Sequence, residues 1–190
     1  MSIIKIIDDI VPQEIFELSC EQFKKGIWDF SNGSSPQDIN IGFGADEYAS
    51  KINKLLAENK LNQENILFNL WNSINEQIKV EDNYKNTLKK IHFNCGPPLF
   101  DQTIHEDDAV TFSKNITIVY FVHPVWDISW GGELLVYDTL RTTITGGAFP
   151  MPNRAVIFPS YLPHRGVAVS RICPKIRISI AFQCAFNNTL

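Results

Sequence analysis

At 190 residues, 44% hydrophobic and 12% aromatic, the chain has the make-up of one folded domain with a full core, which excludes a disordered or fibrous protein. Net charge is −4, from 17 basic and 21 acidic residues without a Lys/Arg cluster, so neither nucleic acid nor an anionic membrane is expected as a partner. The four cysteines, Cys20, Cys95, Cys173 and Cys184, stand far apart without CxxC spacing, which suits buried, reduced thiols in a cytoplasmic protein better than a disulfide framework.

The first stretch, "MSIIKIIDDIV", has no basic flank and places acids where the apolar core of a signal peptide would continue. "PQEIFELSCEQFKKG" reads as a helix, with proline in its first turn, glycine at its end, and Ile15, Leu18 and Phe23 roughly on one side. "DFSNGSSPQDINIGFG", rich in Asn, Ser, Gly and Pro, reads as a loop. In "NQENILFNLWNSINEQIK", Ile66, Leu67, Leu70, Trp71, Ile74 and Ile78 form the apolar stripe of a clearer helix.

From Leu88 onward the pattern changes to short β-like runs bounded by Pro, Gly and Asp: "KKIHFNC", "NITIVYFV", "GELLVYD", "NRAVIFP" and "RISIAFQ". The longest apolar run, Ile116 to Val122, is interrupted by Thr117 and is far too short to span a bilayer. Helices followed by antiparallel strands predict an α+β domain whose helices pack on a sheet sandwich or barrel. The expected organisation is a single domain over 1–190, with a mainly helical support region over 1–87 and a β core over 88–184. The segments 31–47 and 138–152, rich in Gly, Thr and Pro, are expected to be mobile cover.

Candidate chemistry centres on "TIHEDDAV". On an extended segment, side chains two apart point the same way, so His105 and Asp107 converge while Glu106 and Asp108 face away. One imidazole and one carboxylate are two thirds of a facial metal site. A distant histidine must supply the rest, and His164, in "FPSYLPH" just past a strand, is the candidate. By itself H-x-D is weak, since most short matches are surface turns. Downstream, Arg177, Ser179, Ala181 and Gln183 share one face of "RISIAFQ", which points the Arg177 guanidinium inward. A buried arginine needs an anion, and its planar fork suits a carboxylate, either that of a ligand or that of a core Asp or Glu.

Together these residues carry a resemblance. From about His92 to Phe182 the sequence resembles the Fe(II)- and 2-oxoglutarate-dependent oxygenases, in their prolyl 4-hydroxylase-like branch. The shared features are His105-x-Asp107, the distal His164 and Arg177-x-Ser179, in the family's order. "VYFVHPVWDISWGGELLVYD" and "NRAVIFPSYLPH" look like the family's segments between them. The resemblance implies a double-stranded β-helix, a jelly-roll or cupin-like barrel of eight antiparallel strands with N-terminal helices against one sheet. It also implies that His105, Asp107 and His164 hold Fe(II), leaving positions for 2-oxoglutarate and dioxygen. Arg177, helped by Ser179, would bind the far carboxylate of 2-oxoglutarate. The implied reaction hydroxylates an unactivated C–H of a small molecule or an amino-acid or peptidyl substrate, with release of succinate and CO2. Ascorbate is a candidate reductant. Asp107 stands where halogenating relatives carry a small residue, which favours hydroxylation.

Many prolyl hydroxylase-like enzymes also place a tyrosine on the strand after H-x-D to help hold 2-oxoglutarate. Here that strand offers Tyr120 and Phe121, with Phe121 aligned inward, so His92, Asn94 and His123 are alternatives for the missing group. Trp126 and Trp130 read equally as packing or as a substrate wall, and Gly131 and Gly132 as a turn or bulge. Other functions compatible with the residues are a catalytically silent metal- or ligand-binding barrel and, less favoured because no HExxH helix is present, a zinc hydrolase. Oligomeric state is not legible.

Overall fold

The computed structural model describes residues 4–24, 29–32, 42–44, 46–82, 85–110 and 113–187. Its elements in chain order are β1 (Lys5–Ile7), α1 (Gln13–Lys24), β2 (Asp29–Asn32), β3 (Gly42–Gly44), α2 (Asp46–Ala57), α3 (Ile66–Asp82), β4 (Lys85–Gly96), β5 (Ile116–Phe121), β6 (Leu134–Tyr137), β7 (Ile144–Ala148), β8 (Ala155–Pro159), β9 (His164–Gly166) and β10 (Arg177–Asn187). They form a seven-stranded sheet, ordered β1-β8-β5-β10-β4-β3-β2, and a three-stranded sheet, ordered β7-β6-β9. His105 pairs with His164 as an isolated antiparallel bridge on β9, which supplies the fourth line of the smaller sheet. With β8, β5, β10 and β4 opposite, this is the double-stranded β-helix.

Helix α3 forms where its stripe predicts: Leu67, Leu70, Trp71, Ile74 and Ile78 are buried at helical spacing. Its start is fixed by Asn65, whose Oδ1 accepts the Leu67 N–H at 2.9 Å. Helix α1 buries Phe16, Ser19 and Phe23 on one side, and Leu18 is exposed rather than part of the stripe. Helix α2 was not foreseen. It buries Ala49 and Ile52, with Leu55 and Leu56 packed on the same core. It ends at Asn59 (φ 54°), where Lys60 N–H donates to Leu55 O and Asn59 N–H to Leu56 O, a left-handed helix stop.

Two apolar layers result. One lies between the helices and the seven-stranded sheet and includes Ile91, Phe93, Ile118, Tyr120, Ile180 and Phe182. The other fills the barrel between the two sheets, with Val119, Phe121, Leu134, Val136, Val156 and Phe158. A strand covered on both faces is mostly apolar on both, which is why β5 lacks alternation. The Asn53 side chain ties α2 to β4 by accepting the Ile91 N–H (2.8 Å) and donating to Ile91 O (2.9 Å), which covers β4 at a point its neighbours leave open.

The stretch read as a loop at 29–44 carries β2 and β3 at its ends, and residues 33–41 lie outside the described residues. The 138–152 segment carries regular structure. It contains β7, and Asp138 Oδ1 accepts the N–H groups of Thr142 and Thr143 to close the turn before it. All four cysteines are free thiols, with Cys20 half-buried and the others buried. No helix among the described residues is long and apolar enough to cross a membrane.

Candidate active site

The three acids after His105 have three different fates. Glu106 points outward and takes a bidentate ion pair from Arg141 Nη2 (2.8 and 3.0 Å), an exposed pair worth about 0–1 kcal/mol. Asp108 closes its own turn, accepting the Val110 N–H at 2.9 Å and Asn115 Nδ2 at 2.6 Å. These bonds, that from Val110 foremost, hold its carboxyl below the usual range. Asp107 turns inward, and its ligand oxygen and the nitrogens of His105 and His164 lie within 4.8 Å of one another.

Backbone pairing brings these three together. His105 and His164 exchange both main-chain hydrogen bonds, 3.1 and 2.9 Å, and their rings sit 4.4 Å apart. Asp107 N–H donates to Ser160 O at 3.0 Å, which anchors the motif to the end of β8. Each imidazole has Nδ1 at 3.0 Å from a carbonyl two residues back, Thr103 O for His105 and Leu162 O for His164. A carbonyl only accepts, so Nδ1 carries the proton and the Nε2 lone pair is free for a metal. Burial keeps His164 neutral more strongly than the Asp107 carboxylate favours its cation, so its pKa is lowered. Two imidazoles and one carboxylate on one side form the donor set of a non-haem Fe(II) centre.

Two hydroxyls that sequence reasoning passed over complete this end. Thr117 Oγ1 donates to Asp107 Oδ2 at 2.6 Å and lies 3.0 Å from Ser160 Oγ, with Thr117 and Ser160 both buried. The signal was present: Thr117 is the one polar side chain in an otherwise apolar, doubly covered strand.

The inner face of the large sheet follows from its register. On β10, Ser179 lies between Phe121 on β5 and Asn94 on β4, and Ala181 between Val119 and His92. Val122 N–H still donates to Ile178 O (3.1 Å) beyond the end of β5, which sets His123 across from Arg177. Phe121 is the inward residue, with Arg177 Cζ 5.4 Å from its ring centroid. Tyr120 faces the helices instead, and its hydroxyl donates to Asn153 Oδ1 at 3.2 Å.

Arg177 is 3% exposed, and among the described residues no carboxylate forms an ion pair with it and Nε has no hydrogen-bond partner. Burial pushes its pKa down to about 10 against the opposing charge of Glu133, which still leaves a cation at neutral pH. Its head lies against Gly166. A methyl built there would stand 2.7 Å from Nη1, 2.9 Å from Nη2 and 2.8 Å from Gln102 Oε1. Gly166 and His164 are two apart on β9 and share its inner side, about 7 Å from one another by strand geometry. The anion-seeking guanidinium is therefore held one such step from the triad. This spacing, with Nε orphaned, fits a short ligand that carries a carboxylate at one end and metal-chelating oxygens at the other.

At the far end Trp126 and Trp130 pack edge to face at 5.5 Å, Trp126 also against Val169 and Cys173, so they serve as packing. Trp126 Nε1 donates to Gly131 O, and Gly131 and Gly132 (φ 70° and 77°) make the turn into β6. Ser179 is buried two residues along β10 from Arg177, on the same face.

A double-stranded β-helix with a His-x-Asp…His triad and a buried arginine beyond it defines a metal-dependent oxygenase. The comparisons agree: the 2OG-Fe(II) oxygenase superfamily matches residues 91–183. No curated protein sequence matches the chain. Similar solved folds include a prolyl hydroxylase from Trichoplax adhaerens in complex with a hypoxia inducible factor oxygen degradation domain peptide fragment (TM-score 0.59, 18% identity, 97% of this chain and 84% of that one). Others are a Pseudomonas putida prolyl-4-hydroxylase (0.55, 15%, 96% and 91%) and the viral collagen prolyl hydroxylase of Paramecium Bursaria Chlorella virus-1 in its 2OG complex (0.56, 13%, 96% and 96%). The chain thus has the fold of the prolyl hydroxylases, with the superfamily match lying over its β core. It is a 2-oxoglutarate-dependent dioxygenase that uses Fe(II).

Proposed function

We propose that the enzyme hydroxylates an unactivated C–H of a small molecule or of an amino-acid or peptidyl substrate. His105, Asp107 and His164 hold Fe(II), and Arg177, with Ser179 beside it, holds the distal carboxylate of 2-oxoglutarate. The observation that carries this reading is the Arg177 head, its Nε orphaned, set against Gly166, two residues along the strand from His164. Iron and 2-oxoglutarate bound together supply the activation of dioxygen, with one oxygen atom passing to the substrate and succinate and CO2 released.

This chain's residues bind and orient. Thr103 O and Leu162 O fix the imidazole tautomers, Thr117 orients the Asp107 carboxylate, and Arg177 sets the register of the co-substrate. The apolar lining of Phe121, Leu134, Val136 and Phe158 keeps water from the interior. In keeping with this reading, residues 1–190 act as one domain, with 1–87 buttressing the catalytic core over 88–184.

The test is anaerobic absorbance of the protein with Fe(II), before and after 2-oxoglutarate. A weak visible band that needs both components is the expected result. Fe(II) bound without such a band would overturn the oxygenase assignment of these residues in favour of a silent metal-binding barrel.

A further inference from the structure

His123 is the most anomalous polar residue inside the barrel. It is 4% exposed, and neither Nδ1 nor Nε2 has a hydrogen-bond partner among the described residues. A buried donor or acceptor without a partner costs about 1–3 kcal/mol, and an imidazole carries one of each. The protein nevertheless holds this ring firmly, stacked on Phe121 (6.1 Å, 28°) and against Trp126 (4.5 Å, 31°). Its other neighbour in register is Arg177, whose Nε is likewise orphaned. His92 and Asn94, polar residues of the same face, have interaction partners of their own.

Two enclosed, unsatisfied donors, one His123 ring N–H and the Arg177 Nε–H, mark a place built for an acceptor that the polypeptide does not supply. The acceptor has to satisfy a guanidinium and a neutral imidazole together. Burial and the Arg177 charge keep His123 uncharged, so it offers one N–H and adds no second positive charge. Phe121, between them in space, has no hydroxyl to offer.

We propose that His123 is a further protein donor to the distal carboxylate of 2-oxoglutarate, beside Arg177 and Ser179: Arg177 takes one side of the carboxylate and a His123 ring N–H the other. This rests on the reading of Arg177 given above. It makes His123 a co-substrate-binding residue and assigns it selectivity for a keto acid with a second carboxylate over one without.

The experiment compares wild type, His123→Phe and His123→Gln as Fe(II)-loaded proteins under anaerobic conditions. Each is titrated with 2-oxoglutarate and with 2-oxobutanoate, which keeps the chelating end and lacks the distal carboxylate. His123→Phe should weaken 2-oxoglutarate about 10- to 150-fold, the range for a hydrogen bond to a charged group. It should leave 2-oxobutanoate within about 2-fold, the change expected if the pair is uncoupled. His123→Gln, which restores a donor, should recover most of the loss, and it carries the test alone if His123→Phe does not fold. Equal weakening of both keto acids, or no weakening of either, overturns the role of His123 and leaves the site standing. A wild type that binds Fe(II) and gives no band with either acid overturns the site assignment itself.

Discussion

His105 and His164 are joined by main-chain hydrogen bonds in both directions, 3.1 and 2.9 Å, so the metal-binding geometry is built into the backbone before any metal arrives. Their side chains add no bond on which the strand pairing depends. Replacing His105 or His164 with alanine should therefore abolish Fe(II) binding at micromolar metal while far-UV circular dichroism stays at wild type. Asp107→Ala should do the same, with melting lowered further because Thr117 Oγ1 loses its acceptor. Equilibrium dialysis with Fe(II) checks all three, and full retention of metal by any one of them would remove that residue from the ligand set.

Thr117→Val keeps shape and removes one hydroxyl. The lost 2.6 Å bond orients the Asp107 carboxylate, and outer-shell partners of this kind are worth about 10- to 100-fold in metal affinity. The expected outcome is Fe(II) affinity about 10-fold weaker, with the 2-oxoglutarate requirement at saturating iron nearly unchanged. Ser160→Ala should have a smaller effect, since Ser160 Oγ meets Thr117 rather than the carboxylate.

Gly166 is a prediction about space. A methyl there would fall 2.7 Å from Arg177 Nη1, so Gly166→Ala must displace the guanidinium or Gln102, whose Oε1 accepts the Gly166 N–H at 3.0 Å. The 2-oxoglutarate requirement should rise at least about 10-fold without loss of iron, in the same direction as Arg177→Gln, since both remove a charge-assisted contact worth roughly 1.5–3 kcal/mol. Combining the two changes should give much less than the product of their effects, because they act on one contact. A multiplicative result would mean that Gly166 acts elsewhere.

The parts of this site legible in the sequence were those set by local chemistry. The period of two placed Arg177 and Ser179 on one face of β10, and the separation of His105, Glu106, Asp107 and Asp108 into inward and outward residues followed from the same rule. The choice of Phe121 over Tyr120 as the inward residue also held, since Tyr120 bonds Asn153 on the helix side. Tertiary context hid the rest. The short strands β2, β3, β7 and β9 have too few residues to show a period, and β7 is Gly-rich because it packs closely, which reads as a loop. Helix α2 has a clear stripe but lies after a Gly- and Pro-rich stretch that masked its start. The role of Gly166 depends on a side chain that arrives from another strand, and no local pattern contains it.

Burial of His123 also sets a pH dependence. Buried surroundings first, and the Arg177 charge second, push its pKa down to about 3 from the ordinary 6.5. The folded state thus binds fewer protons than the unfolded chain between those values, and stability must fall as pH drops through that window. Each pH unit below 6.5 costs about 1.4 kcal/mol until the folded pKa is reached, so roughly 2 kcal/mol is lost by pH 5. His164, whose pKa is also lowered, contributes in the same direction. Urea unfolding of the metal-free protein at pH 7 and pH 5 should show the decline, and His123→Phe should be less sensitive by about that 2 kcal/mol. Identical pH dependence in wild type and His123→Phe would mean that His123 is protonated in the folded protein well above pH 3, in contact with solvent that its burial excludes.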